Sequence, residues 1–137
     1  MPAYMVKILF ATAFLAAAIT SFLSMMALQG KLVKKTDPAK LKKIHDRSGI
    51  IALILLVPLV YLGARFTAQA GDAMSVRAVF HFVLALALVF ILGVKVLIAL
   101  VYKSFLRFAP ALGMTVFVLT LIVYMLTAGF TIVMNIF

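Results

Sequence analysis

Four stretches of this chain run almost without a charge, at about residues 3–28, 48–66, 76–101 and 110–136. Each is long enough to cross a hydrocarbon core of about 30 Å as a helix, which takes about 20 residues. The apolar residues are continuous within each run and do not alternate. This predicts helices in preference to the strands of a membrane barrel. Pro58 sits in the middle of the second run, a position that membrane helices tolerate when neighbouring groups compensate. The first run is too long for the apolar core of a signal peptide and has no clear small-residue cleavage site, so it reads as a true span. The pattern predicts an all-α, four-helix transmembrane bundle in a single membrane domain covering residues 1–137.

The polar positions between the runs set the orientation. Lys31, Lys34, Lys35, Lys40, Lys42, Lys43 and Arg47 fall in or beside the first connection, and Lys103 and Arg107 in the third. The other side of the membrane has Lys7, Arg65 and Arg77. The bias places both basic connections in the cytoplasm and both termini outside, in a bacterial inner membrane. Thr36-Asp37-Pro38 has the character of a helix start, so the residues after it are expected to form a short helix on the membrane surface. Its lysines suit anionic lipid headgroups. An acidic soluble partner is the alternative.

Composition sharpens the class. Hydrophobic residues make up 67% of the 137 and charged residues 12%; mean hydropathy is +1.29. Soluble domains average about 45–50% apolar and about 25% charged. Thirteen Lys and Arg face three Asp, for a formal charge of +10. These charges flank membrane spans and so do not indicate nucleic acid. With no Cys, disulfides, thiolate metal sites and covalent haem attachment are excluded. With no Glu or Cys, and with every Asp expected in a loop, no hydrolytic nucleophile–base–acid set can be built.

Two histidines remain as candidate chemistry. His45 and His81 are each followed four positions later by a small residue, Gly49 and Ala85. Residues four apart share a helix face, so a flat ring could approach the backbone beside either imidazole. His45 falls at the expected water interface, where a capping or lipid-phosphate role competes with ligation. His81 lies about five residues inside its span, where ionisable groups face a bundle interior or a cavity. Arg77, one turn before His81, fits an anionic group such as a haem propionate or snorkels to headgroups. Lys95 follows His81 by 14 residues and lies within about 40° of its face. His81, Ala85, Leu88, Leu92 and Lys95 then form one stripe. Lys95 either snorkels or binds a propionate or quinone oxygen.

The stretches Ile44-His45-Asp46-Arg47-Ser48-Gly49 and Arg77-Ala78-Val79-Phe80-His81 resemble the cytochrome b561-type four-helix membrane proteins of bacteria. So do Gly93-Val94-Lys95-Val96 and Phe108-Ala109-Pro110-Ala111-Leu112-Gly113. The resemblance implies a four-helix bundle, haem b on histidine ligands, and electron transfer with quinone or a redox partner. It marks His45 and His81 as axial ligands. The chain departs from that pattern in one respect. From their places in the spans the two histidines are about 30 Å apart along the membrane normal, too far to share one iron. Met125, in the same membrane half as His81, is one alternative second ligand. A histidine from a partner subunit or a homo-oligomer is another.

The expected function is therefore a small b-type cytochrome-like electron-transfer protein, or the membrane subunit of a redox complex. The alternative is a haem-free structural or assembly subunit of a larger membrane complex. A small transporter fits less well, because α-helical ion pathways usually carry an acidic residue within a span. A reporter enzyme fused after Phe137 should be active only outside the cytoplasm; cytoplasmic activity would reverse the orientation.

Overall fold

A computed structural model of the protein describes residues 3–31 and 36–136. Lys34, Lys35 and Phe137 lie outside the described residues. Helix α1 covers Ala3–Leu28 and α2 covers Pro38–Ala70. A 3-10 turn at Gly71–Ala73 leads to α3, Val76–Leu100. A 3-10 segment at Lys103–Phe108 leads to α4, Ala109–Tyr124, which widens into a π turn at Met125–Gly129 and continues as α5, Phe130–Ile136. Among the described residues four helical stretches are long and apolar enough to cross a membrane. The chain is an all-α, multi-pass membrane protein.

Local chemistry explains the ends. Helix α1 stops at Gly30, whose φ of 71° is open to glycine. The Gly30 N–H donates to Ala27 O at 2.9 Å and the Lys31 N–H to Met26 O at 3.1 Å, the paired bonds of a Schellman ending. Helix α2 opens as its sequence predicts. The Asp37 side chain accepts from the Ala39 N–H at 3.0 Å, and Pro38 occupies the first turn. Ser75 starts α3 by accepting from the Ala78 N–H at 3.3 Å.

One expected boundary moves. The hydropathy pattern predicts a span at residues 48–66 with a separate surface helix before it. The structure joins them into one helix of 33 residues. No glycine or proline separates Ala39 from Ser48, and the lysines between them are good helix formers. At 1.5 Å per residue α2 is about 50 Å long, well beyond a hydrocarbon core of about 30 Å. Its charges place it in the bilayer. Residues 48–64, between Arg47 and Arg65, carry no charge, and the step from one arginine to the other is about 27 Å. The ten residues Pro38 to Arg47 therefore project from the core. At the other end the Lys7 ammonium lies 5.0 Å from the Phe66 ring centroid, and the Arg65 guanidinium 6.0 Å from that of Tyr61. Aromatic rings beside cations are usual at a membrane interface.

The chain divides into two compact units, Met1–Ala73 and Met74–Phe137. The first is the α1–α2 hairpin. Its seam is made by Phe14, Ala17 and Ser24 of α1 and Ser48 and Ala52 of α2, all buried. Small residues allow close helix approach, which matters because lipid offers no hydrophobic drive for helix pairing. The Ser24 and Ser48 hydroxyls donate to carbonyls of their own helices at 2.8 Å, Thr20 O and Ile44 O. The second unit is the hairpin of α3 with α4 and its continuation. Leu88 of α3 is buried there, as are Val116, Thr120 and Ala128 of the returning strand of helix. At 3% exposure Leu88 is the most enclosed large apolar side chain among the described residues. Leu88→Ala should lower stability by about 2 kcal/mol or more through lost packing. Thermal unfolding in detergent, measured against the unaltered protein, checks this; an unchanged midpoint would show that this seam is not tightly packed.

Candidate functional site

The sequence stripe on α3 proves to be the seam of the second hairpin. His81, Leu88 and Lys95 are spaced by seven residues, a period that keeps side chains on one contact face. His81 and Lys95 meet the returning helix, and Leu88 between them is buried. His81 Nδ1 lies 3.2 Å from the Val123 carbonyl oxygen. Lys95 Nζ lies 3.4 Å from where a Cβ on Gly113 would stand.

The His81 contact fixes the ring chemically. A carbonyl oxygen only accepts, so Nδ1 carries the proton and donates it. In a neutral imidazole this leaves Nε2 with a free lone pair. The same Val123 oxygen accepts from Thr127 Oγ1 at 3.2 Å. Two residues later the helix widens into the π turn, where the Phe130 N–H donates back to Met125 O. Such wide turns often occur at functional sites. Here the turn sits beside the histidine.

His45 repeats the arrangement in the first hairpin. Its Nδ1 is 2.9 Å from the Ser21 carbonyl oxygen and 3.1 Å from Ser21 Oγ. Nδ1–H is again the donor, now shared between two oxygens of one residue on α1, and Nε2 again keeps its lone pair. A Cβ added at Gly49, one turn on, would meet nothing within 4 Å. Gly63 and Gly93 are equally open, so this space is not particular to the histidine. His45 lies two residues beyond Arg47, on the projecting side. His81 lies about 6 Å along α3 from Arg77.

Arg77 is exposed, and its guanidinium stacks at 3.8 Å from the Phe130 ring centroid. Stacking engages the guanidinium face and leaves its in-plane N–H donors available. Lys95 is half-buried. Aspartates occur only at positions 37, 46 and 72, so neither α3 nor the helix against it carries a carboxylate. The step from Arg77 to Lys95 is again 18 residues, about 27 Å, which places Lys95 near a membrane boundary. Met125 is 58% exposed. Its sulfur lies 2.9 Å from the position of a Cβ on Gly129, folded over its own π turn.

Arg77 stands one turn from His81 on α3, whereas Lys95 is about 21 Å further along the same helix and does not join them; Met125, on the same hairpin, is directed over Gly129. His45 is held in the other. Sequence reasoning missed the groups that receive them: Ser21, Val123, Phe130 and Gly113. Ser21 stands between Thr20 and Ser24, a short polar cluster in a largely apolar helix that could have marked it. Val123 acts through its backbone and left no signal. Among the described residues no group of three or more His, Cys, Asp or Glu gathers to hold a metal ion.

Lys95→Met removes an ammonium that has no carboxylate on either helix of its hairpin. It keeps length and apolarity. Expression and helicity should be unchanged and thermal stability equal or slightly higher. A marked drop in the unfolding midpoint would show that the ammonium is held by a favourable partner.

No curated protein and no solved structure matches the chain. One family model matches, over residues 2–135, nearly the whole length. The chain belongs to that family, described as a family of unknown function (DUF6529).

Proposed function

We propose that the protein is a small membrane electron-transfer component of the bacterial inner membrane that carries haem b, with His81 as its principal axial ligand. One observation carries this reading: both histidines have Nδ1–H tied to a backbone carbonyl of the neighbouring helix. That tie is the usual outer contact of a histidine ligand. It fixes the tautomer and the ring plane and leaves Nε2 for the iron. Haem b, when bound, supplies one-electron redox chemistry. Arg77 then offers its in-plane N–H groups to a propionate one turn from His81.

The donor set fits the group in part. Each hairpin offers one imidazole, and Met125 turns its sulfur to Gly129. The second axial ligand in this reading comes from outside the hairpin, from a partner subunit or a second copy. Quinone or a redox subunit is the proposed electron partner, and the basic connections and both termini take the orientation given by the charge bias.

A haem-free structural or assembly subunit is the second reading. A specific observation favours it as well: each histidine already closes its own hairpin by hydrogen bonding, which is a sufficient reason for its presence. The visible spectrum separates the two. Protein purified from haem-replete cells and reduced with dithionite should show a b-type α-band that His81→Ala abolishes. A colourless protein would overturn the electron-transfer reading in favour of the scaffold. Equal loss in His45→Ala and His81→Ala would indicate two haem sites or ligands shared between copies.

A further inference from the structure

The projecting start of α2 and the span below it share a face. At 100° per residue, Lys40, Lys43, Arg47, Ile51 and Ile54 fall within an arc of about 80°. All five side chains are exposed, Ile51 by 51% and Ile54 by 64%. His45, Ser48 and Ala52, which point at α1, occupy another arc of about 60°, centred well over 90° away. The exposed stripe is therefore not an accident of packing against α1. It changes from cationic to apolar just after Arg47, where the charge-free part of the helix begins.

We propose that this stripe is a binding site for an anionic phospholipid. The phosphate lies against Arg47 and Lys43, Lys40 extends the cationic end outward, and the acyl chains run along Ile51 and Ile54. Charge complementarity selects the occupant. The stripe has three cations against one bordering acid: Asp37 accepts the Ala39 N–H as the helix cap, and Asp46 lies about 60° from Lys43 and about 100° from Arg47. Cations near an anionic leaflet attract its headgroups. An acidic soluble partner would use the cations but has no use for the isoleucines that continue them on one face. A single lipid uses both. A continuous α2 matters here, because a hinge before Ser48 would separate the two halves of the stripe. The inference is independent of haem.

The chain has no tryptophan, so Ile51→Trp adds a single reporter one turn below Arg47. The protein is reconstituted in vesicles of phosphatidylcholine with phosphatidylglycerol, and either lipid is supplied with brominated chains. Quenching by each gives the local ratio of anionic to zwitterionic lipid at the indole. The expected result is enrichment of the anionic lipid on the order of threefold over the bulk composition. In the same Trp background, Lys40→Gln with Lys43→Gln and Arg47→Gln should return the ratio to one, while Lys42→Gln, on another side of α2, should change it far less. Should the triple variant not fold, salt provides the second measurement. Raising it from 0.1 M to 1 M shortens the screening length from about 10 Å to about 3 Å and should erase most of the enrichment. A ratio near one in the Ile51→Trp protein, or enrichment that neither salt nor the triple variant reduces, overturns the proposal.

Discussion

A histidine N–H donated to a backbone carbonyl of the neighbouring helix is the interaction on which each hairpin's polar geometry turns. Within a bilayer the backbone is satisfied inside each helix, and lipid tails are as apolar as the side chains that meet them. Pairing then depends on packing and on the few polar groups that reach across. In the first hairpin His45, just beyond the charge-free stretch, donates to Ser21 O; in the second His81, within the span, donates to Val123 O. Interhelical hydrogen bonds of this kind contribute roughly 0.6–2 kcal/mol. Their larger effect is on register. Once His81 meets Val123, the seven-residue spacing brings Leu88 into the seam and Lys95 to Gly113, while Arg77 reaches Phe130 in the opposite direction.

Charge fixes what hydrogen bonding leaves open, the depth of each helix. Arg47 and Arg65 on α2, and Arg77 and Lys95 on α3, are each 18 residues apart, about 27 Å. Both separations match the hydrocarbon core. This agreement bears on Lys95. By sequence alone it reads as a cation deep in an apolar run. With Arg77 at one boundary it sits at the other, and Gly113 leaves space for its stem and amine. An ammonium at that level is within reach of headgroups and water, so its presence in the span needs no buried anion.

The spans, the Asp37–Pro38 helix start and the α3 stripe were legible because they depend on side-chain type at a fixed period. The continuity of α2 was harder to read. A change from lysine-rich to apolar sequence looks like an element boundary, yet helix propensity crosses it without a break. The π turn and the Val123 acceptor were not legible at all. Both are backbone features, and Thr127-Ala128-Gly129 is ordinary sequence for a membrane helix. Gly113 was visible only as a small residue suited to packing; its role depends on what α3 places opposite it. The two histidines stood out as rare residues, but their partners could not be read, because a carbonyl is present at every position.

The tie at Nδ1 has a consequence for any role given to the other nitrogen. A ring free to rotate must lose that freedom before Nε2 can hold an iron or accept a proton donor, and ordering a side chain opposes binding. In both hairpins that ordering is already accomplished in the folded chain. The ring plane is set by a helix that is itself held by packing, and the tautomer is set by an acceptor that cannot change.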